Sequence, residues 1–288
     1  MNGRLLIFGA ATLWSLSGPL AKLAQLPGPS LACYRALCAG IFLLCFVRGG
    51  RLRWRPALLG MVLSFTLLNL TFLWAVTLTS AANAIFLQCT APLWTLVACL
   101  AWLGEKLDRR SLFSVLLGLS GMALIAGGGW GESPLGIALA LSSGVFYSLI
   151  TVFLRYLRDE DPYLLTCINH LSAGLLLLPL TFLPGQVSPA ELPWTAALFL
   201  AFFGVVQLGT PYLLYAKGLQ SVSPQEAGVI TLLEPVLSTF LTWLAVGEQP
   251  AATTLWGGSI VLIAVALRYL PVLGRVRPNA ENVSPEIP

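Results

Sequence analysis

Residues 134–156 read PLGIALALSSGVFYSLITVFLRY, and the only charged residue in this stretch is Arg155, near its end. An α-helix advances by about 1.5 Å per residue, so about 20 apolar residues cross a hydrocarbon layer of about 30 Å. Polar and apolar residues do not alternate here as they do in a membrane β-strand. The stretch therefore predicts a membrane-spanning helix.

Comparable apolar stretches recur along the 288-residue chain, which is 57% hydrophobic and only 10% charged. Its mean hydropathy is +0.83, and a soluble domain usually carries about 25% charged residues. The sequence therefore predicts an all-α membrane protein with ten transmembrane helices, separated at charged, proline or glycine positions. The predicted spans are residues 4–24, 30–48, 56–77, 81–103, 111–129, 134–156, 162–183, 193–216, 224–246 and 253–270.

Lysine and arginine are unequally distributed between the two sides that these spans define. The opposite side holds only Lys22, and Arg35 lies within the second span. The side of the N-terminus holds the others, Arg4, Arg48, Arg51, Arg53, Arg55, Lys106, Arg109, Arg110, Arg155, Arg158, Lys217, Arg268, Arg275 and Arg277. Basic loops stay in the cytoplasm, so both termini are predicted to be cytoplasmic, in a multi-pass protein of the cell inner membrane. Residues 271–288, polar and proline-rich, are predicted to form a disordered cytoplasmic tail.

Composition and motifs exclude several other classes of protein. The net charge of +4 is too small for a nucleic-acid-binding protein, and the six cysteines lie in apolar stretches without metal-ligand spacing to a histidine. No Gly-x-x-x-x-Gly-Lys stretch indicates ATP binding, and no His-Glu-x-x-His or Gly-x-Ser-x-Gly stretch indicates a hydrolase. We therefore expect no cofactor, no metal and no enzymatic activity.

The two halves of the chain resemble each other. Residues 1–130 and 131–270 each hold five predicted spans, and because five is odd the second half is expected to be inverted relative to the first. Such inverted repeats are typical of transporters. The matches are Trp14-Ser15 with Tyr147-Ser148, Lys22 with Arg155, Cys33 with Cys167, Leu37 with Leu171, Ala39-Gly40 with Ala173-Gly174, Ala91-Pro92 with Glu234-Pro235, and Gly104-Glu105 with Gly247-Glu248.

Residues 80–92 (SAANAIFLQCTAP) and 223–235 (SPQEAGVITLLEP), each followed by a Gly-Glu pair, resemble the drug/metabolite transporter superfamily, EamA type. The resemblance extends over roughly residues 5–270. It implies ten helices with cytoplasmic termini and a central cavity lined by the first four helices of each half. It also implies a secondary carrier, and many such carriers export amino acids or other metabolites.

Charged residues within the spans are the strongest site candidates, because a charge at the bilayer centre costs about 2.5–3.5 kcal/mol on insertion scales. Glu234 lies about 15 Å into the ninth span, before Pro235, which frees a backbone carbonyl. It is either a substrate or proton site or a structural carboxylate. Arg35 keeps its charge, and either binds a substrate carboxylate or extends toward the outer surface.

Two further polar residues have two readings each. Glu226 either stabilises the start of the ninth helix, where the helix dipole suits a carboxylate, or acts as a gate or substrate contact. Its repeat counterpart is Asn83, which is a gate candidate as well. His170, beside Asn169, is either a proton relay or a neutral core residue. Aromatic and amide side chains that suit an amphipathic metabolite complete the candidates, although each alone also fits plain packing: Trp14, Tyr34, Asn69, Gln88, Trp94, Tyr147, Gln207, Tyr212 and Tyr215.

These features favour a secondary active transporter that moves a small metabolite, an amino acid or a similar zwitterionic or amphipathic solute. We expect export by alternating access at a midplane cavity, coupled to a proton or to an exchanged solute. The alternative is uptake or exchange of a small amine or quaternary ammonium compound, since aromatic faces attract cations. The expected partners are the solute and the lipid bilayer, and the sequence leaves monomer and homodimer both open.

Overall fold

The computed structural model describes residues 2–47, 53–91, 93–94, 109–128, 133–222, 227 and 230–273. A 3-10 turn spans Leu178–Phe182, and a π-helical segment spans Phe203–Gly209. The helices are α1 (Gly3–Trp14), α2 (Ser17–Ala24), α3 (Gly28–Leu44), α4 (Pro56–Leu78), α5 (Ala81–Gln88), α6 (Arg109–Gly128), α7 (Pro134–Tyr156), α8 (Pro162–Leu177), α9 (Trp194–Phe202), α10 (Thr210–Leu219), α11 (Leu233–Val246) and α12 (Ala252–Leu273).

All regular elements in these described ranges are helical, which confirms the predicted all-α class. Five stretches are long and apolar enough to cross a membrane: Gly3–Ala24, Pro56–Leu78, Pro134–Tyr156, Pro162–Phe182 and Trp194–Leu219. Shorter apolar helices lie at Gly28–Leu44, Leu116–Ile125, Leu233–Val246 and Ala252–Ala264. The count of ten spans and the side on which the termini lie stay predictions. The last helix reaches Leu273, and residues 274–288 lie outside the described part, so the disordered tail stays a prediction.

Several predicted spans are not single continuous α-helices. The first divides at Ser15 and Leu16 into α1 and α2. Pro19 explains the position of this break, because proline has no N–H for the carbonyl of residue i−4, which is Ser15, and its ring clashes with that carbonyl. In the fourth predicted span, α5 ends at Gln88. In the ninth predicted span, α11 begins only at Leu233, after a turn at residues 231 and 232.

The principal helix contacts follow a regular scheme. Helix α4 packs against α7 and α1 against α10, while α3 packs against α8 and α6 against α12. An operation that places each half on the other converts the α4–α7 contact into the α10–α1 contact. It maps the α3–α8 pair and the α6–α12 pair onto themselves. A two-fold axis between the halves would generate this arrangement.

Helices α3 and α8 approach closely enough that side chains meet backbone. The Cys33 thiol donates to the Gly174 carbonyl at 3.3 Å, and the Cys167 thiol donates to the Gly40 carbonyl at 3.7 Å. A Cβ atom on Gly40 would lie 2.7 Å from the Leu171 side chain, so no larger residue fits without displacement. The cysteines are therefore part of helix packing, as small apolar residues are expected to be.

Candidate functional site

A small cavity of about 40 Å³ lies where the helices of both halves meet. We call it the central cavity. Every residue that lines it is at most 9% exposed, so the cavity lies in the interior of the protein. The lining residues are Trp14, Ser17, Arg35, Phe65, Leu68, Asn69, Phe72, Gln88, Tyr147, Gln207, Leu208, Tyr212 and Glu234. Since one water needs about 10–15 Å³ by this measure, the cavity has room for about three waters.

Arg35, on α3, brings a guanidinium group to this cavity while being 3% exposed. Its Nη1 donates to Gln207 Oε1 at 2.8 Å, and its Nη2 donates to Asn69 Oδ1 at 2.5 Å. The carbon atom of the guanidinium lies 5.0 Å from the centre of the Phe203 ring. Within the described residues no carboxylate lies within ion-pair distance of Arg35. Among the described residues, the groups that hold this positive charge are therefore neutral.

Two amides fix Arg35 to the neighbouring elements. Asn69, on α4, donates from Nδ2 to the Ala32 carbonyl at 2.8 Å. Gln207 donates from Nε2 to the Trp14 carbonyl at 3.3 Å, at the end of α1. Gln207 lies in the π-helical segment, and such segments often occur at functional sites. The amides therefore connect the guanidinium to the break in the first span.

An aromatic cluster covers one side of the cavity. The Trp14 ring centre lies 4.9 Å from that of Tyr212, 5.1 Å from that of Tyr215 and 6.1 Å from that of Tyr147. Phe65 contacts Tyr212 edge-on at 4.9 Å. Such a wall suits the apolar part of a solute or the face of a cation.

Glu234, in the first turn of α11, is 4% exposed and lines the same cavity. In the described part of the chain its carboxyl group has no ion pair, and Arg35 is farther from it than ion-pair distance. Pro235 follows it, and the preceding turn at residues 231 and 232 separates α11 from the chain before it. A buried carboxylate without a cation is costly, so this group favours either a proton or a cationic solute.

The predicted substrate-binding residues Trp14, Arg35, Asn69, Gln88, Tyr147, Gln207, Tyr212 and Glu234 come together at this cavity. The structure does not bring Tyr34, Asn169 and His170 to it. The Tyr34 hydroxyl instead donates to the Val187 carbonyl at 2.7 Å, because the loop after the 3-10 turn lies over the start of α3.

His170 and Asn169 are fully buried on α8, beside the cavity wall rather than in it. The His170 ring lies 4.6 Å from that of Phe65 and 5.4 Å from that of Tyr212, and its Nδ1 lies 2.6 Å from the Thr166 carbonyl. These contacts separate the ring from the cavity. The Asn169 amide has no hydrogen-bond partner among the described atoms. The described residues hold no group of three His, Cys, Asp or Glu side chains that could bind a metal.

The other candidates have separate positions. The Asn83 Oδ1, at the start of α5, accepts a bond from Thr254 Oγ1 at 2.5 Å, so Asn83 connects α5 to α12. Trp94 donates to Thr90 Oγ1 at 3.0 Å, and Tyr215 Oη lies 3.3 Å from Thr151 Oγ1. Glu226 lies outside the described residues.

Sequence reasoning missed five lining residues, namely Ser17, Phe65, Leu68, Phe72 and Leu208. The apolar four have no distinctive sequence pattern, since phenylalanine and leucine are common throughout the spans. Ser17 could have been found, because the break that Pro19 imposes leaves it at the start of a new helix within the membrane.

An ion pair lies at the face that is predicted to be the outer one. Lys22 Nζ lies 3.0 Å from Glu248 Oε2 and donates to the Thr79 carbonyl at 2.9 Å. Glu248 Oε1 accepts the Ala81 N–H at 2.7 Å, at the start of α5. We call the Lys22–Glu248 contact the outer ion pair. It joins the end of α2, the turn between α4 and α5, and the residues after α11.

Comparisons with known proteins agree with this architecture. A solved crystal structure at 20% identity superposes with a TM-score of 0.68, covering 94% of this chain and 98% of that chain, which shows the shared fold. Relatives include an uncharacterized transporter of Archaeoglobus fulgidus, 27% identical over 74% of this chain and 76% of its own length. The uncharacterized transporter YxxF of Bacillus subtilis is 25% identical, over 98% of this chain and 92% of its own length.

The uncharacterized inner membrane transporter YicL of Salmonella typhimurium is 27% identical, over 96% of this chain and 98% of its own length. The predicted localisation in the inner membrane, as a multi-pass protein, is thereby confirmed. The family model of EamA-like transporters matches residues 1–127 and 134–270. Since these matches take up nearly the whole sequence, the chain belongs to the EamA-like transporter family.

Proposed function

We propose that the chain is a secondary active carrier for a small zwitterionic or amphipathic metabolite, such as an amino acid, and that it exports this solute by alternating access at the central cavity. The observation that supports this most is the pair of opposite charges at one cavity. Arg35 and Glu234 both line it, both are buried, and neither has an ion-pair partner among the described residues.

A zwitterion would satisfy both groups at once. Burying an isolated charge is expensive, and a solute with one anionic and one cationic group supplies the missing partner at each end. A purely anionic solute would leave Glu234 unpaired, and a purely cationic one would leave Arg35 unpaired. The aromatic cluster of Trp14, Tyr147 and Tyr212 would then contact the apolar part.

Alternating access requires the closed cavity to open toward each side in turn. The outer ion pair supports the proposal that the outer side is closed here, because it connects α2, the α4–α5 turn and the end of α11. Opening outward would separate these elements. Widening would also be needed, since about 40 Å³ is less than an amino acid occupies.

Coupling to a proton or to an exchanged solute would use Glu234. A protonated carboxyl group is tolerated in an apolar cavity, whereas the ionised form needs a cation. Binding of the ammonium group could therefore displace a proton from Glu234, and its release would allow the proton to return. Exchange of one zwitterion for another would keep the carboxylate paired in each half cycle.

The test is uptake of radiolabelled amino acids into proteoliposomes. We expect saturable flux in the unmodified protein and at least about tenfold lower flux in Arg35→Gln and in Glu234→Gln, because a hydrogen bond to a charged group contributes about 1.5–3 kcal/mol. Tyr34→Phe is the matched control, since it removes a buried hydroxyl outside the cavity. Normal flux in both charge variants would contradict the assignment of the site.

The alternative solute is a small amine or quaternary ammonium compound taken up or exchanged. The aromatic cluster beside Glu234 favours it, since aromatic faces attract cations. The buried charge of Arg35 opposes it. Flux of choline in the same vesicles, with Arg35→Gln increasing rather than decreasing it, would support this second function.

A further inference from the structure

We propose that the central cavity has an anion-binding end, formed by the amino terminus of α2 with Ser17, Trp14 and Arg35, and that it takes the carboxylate group of the solute. This inference rests on the proposed function and specifies which end of the solute lies where. It also makes a free carboxylate a requirement for tight binding.

The amino terminus of α2 lies inside the protein because the first span is interrupted. Helix α1 ends at Trp14 and α2 begins at Ser17, which lines the cavity. No side chain caps this start, since the residue before it is Leu16. The first N–H groups of a helix have no partner within the helix, and they carry a partial positive charge that favours anions.

Unpartnered donors at the same cavity are a second, independent observation. The Trp14 Nε1, the Arg35 Nε and the Ser17 hydroxyl are each buried without a hydrogen-bond partner among the described atoms. Their residues are 5%, 3% and 1% exposed and all three line the cavity. The Tyr147 hydroxyl, which also lines the cavity, is unpartnered as well. Buried polar groups are nearly always satisfied, so these four orphan donors around one cavity indicate a ligand that accepts hydrogen bonds.

The charge at this end decides in favour of an anion over a neutral acceptor. Gln207 and Asn69 occupy both Nη atoms of Arg35, and both are neutral. Gln207 also donates to the carbonyl of Trp14, which keeps the guanidinium beside the break. The Nε–H and the full positive charge are left for the cavity, where a carboxylate would form a charge-assisted hydrogen bond.

Glu234 fixes the direction of the solute. Arg35 and Glu234 both line the cavity but are farther apart than ion-pair distance. A carboxylate placed near Glu234 would be repelled by a like charge, so the anionic group is favoured beside Arg35. The ammonium group of a zwitterion would then face Glu234. The cavity is small enough that formate or acetate, rather than a bulky phosphate ester, matches its present size.

Direct binding of formate and acetate to the purified protein tests the inference without knowledge of the natural solute. Isothermal titration at constant ionic strength would compare acetate with acetamide, which has a similar shape and no charge. We expect acetate to bind and acetamide to bind at least tenfold more weakly. Glu234→Gln should strengthen acetate binding, because it removes the repulsion between two carboxylates in one cavity.

Two mild variants keep the test independent of folding. Ser17→Ala and Trp14→Phe each remove one donor and should weaken acetate binding severalfold. Ser114→Ala is the matched control, because the Ser114 hydroxyl, on α6, is equally buried and unpartnered but does not line the cavity. Arg35→Lys keeps the charge, so it should retain more acetate binding than Arg35→Gln.

Equal binding of acetate and acetamide, or acetate binding that is unchanged in Ser17→Ala, Trp14→Phe and Arg35→Gln, would overturn the anion-binding end. Amino-acid flux that persists with such a result would leave the carrier function standing. Acetate binding without flux of any zwitterion would instead contradict the proposed function while retaining the anion site.

Discussion

At Arg35 the cost of burying a charge is reduced by neutral acceptors rather than by an acid. The Gln207 amide oxygen accepts a hydrogen bond from the guanidinium, and its nitrogen donates to the Trp14 carbonyl, which holds the amide in place. The electrostatic character of the cavity therefore depends on an amide that carries no charge itself.

Gln207→Glu tests this dependence. The new carboxylate would lie beside Nη1 of Arg35, neutralise it and repel a second anion, so acetate binding should fall at least tenfold. Gln186→Glu, in the loop over α3, adds the same charge away from the cavity and is the control. Titration of both variants with acetate gives the comparison, and unchanged binding in Gln207→Glu would be inconsistent with an anion at this end.

The close contact between α3 and α8 leads to a second prediction at the residue scale. A Cβ atom on Gly174 would lie 2.5 Å from the Leu37 side chain, so Gly174→Ala should lower the free energy of unfolding by about 1–3 kcal/mol. Gly127, on α6, has no atom within 4 Å of such a Cβ, and Gly127→Ala is the control. Thermal unfolding in detergent measures both, and equal midpoints would contradict the described packing of α3 on α8.

At the scale of the elements, each member of the outer ion pair also makes a hydrogen bond to the backbone of a helix end. Glu248 accepts a backbone N–H at the start of α5, where the helix dipole favours a negative group, and Lys22 donates to a carbonyl at the end of α4. Each charge is therefore suited to its own position in this partly buried ion pair.

Reversing the pair should not restore what a single change removes. We expect Lys22→Glu combined with Glu248→Lys to unfold at a lower temperature than Glu248→Gln alone, because both backbone contacts become unfavourable. Thermal unfolding of the two variants and the unmodified protein provides the measurement. A reversed pair as stable as the original would show that the backbone contacts contribute nothing.

The π-helical segment makes a prediction for one element. Deleting Val205 should convert Phe203–Gly209 toward an α-helix and so turn Gln207 away from its present direction. The protein should remain folded, while acetate binding and amino-acid flux should both be lost. Deleting Val187, in the loop that lies over the start of α3, also shortens the chain by one residue but lies away from the cavity, so it is the control.

The sequence predicts the polar lining better than it predicts the course of the helices. Arg35, Asn69 and Gln207 were identifiable because a polar group inside a span must face protein or water. Tyr34 and His170 satisfy the same rule by contacts elsewhere, since the rule does not say which helix face meets the cavity. The break at Ser15 followed from Pro19 but was not predicted, and no sequence pattern indicated the π-helical segment.

At the scale of the whole molecule, a buried cavity of about 40 Å³ between two related halves is the arrangement from which a solute could be released to either side. The pairings of α4 with α7 and of α10 with α1 are equivalent under exchange of the halves. If one half moves against the other, opening toward one face would therefore break contacts similar to those broken by opening toward the other face.

The most direct test is the labelling of a cavity residue from each side of the membrane. Leu68→Cys places a thiol in the cavity wall, and a membrane-impermeant thiol reagent is applied to the outer or the inner face of oriented vesicles. Cys33 is fully buried between α3 and α8 and is the internal control. We predict that the introduced thiol reacts from both faces and that a transported amino acid slows the reaction. Labelling from neither face, or from one face under all conditions, would contradict alternating access at this cavity.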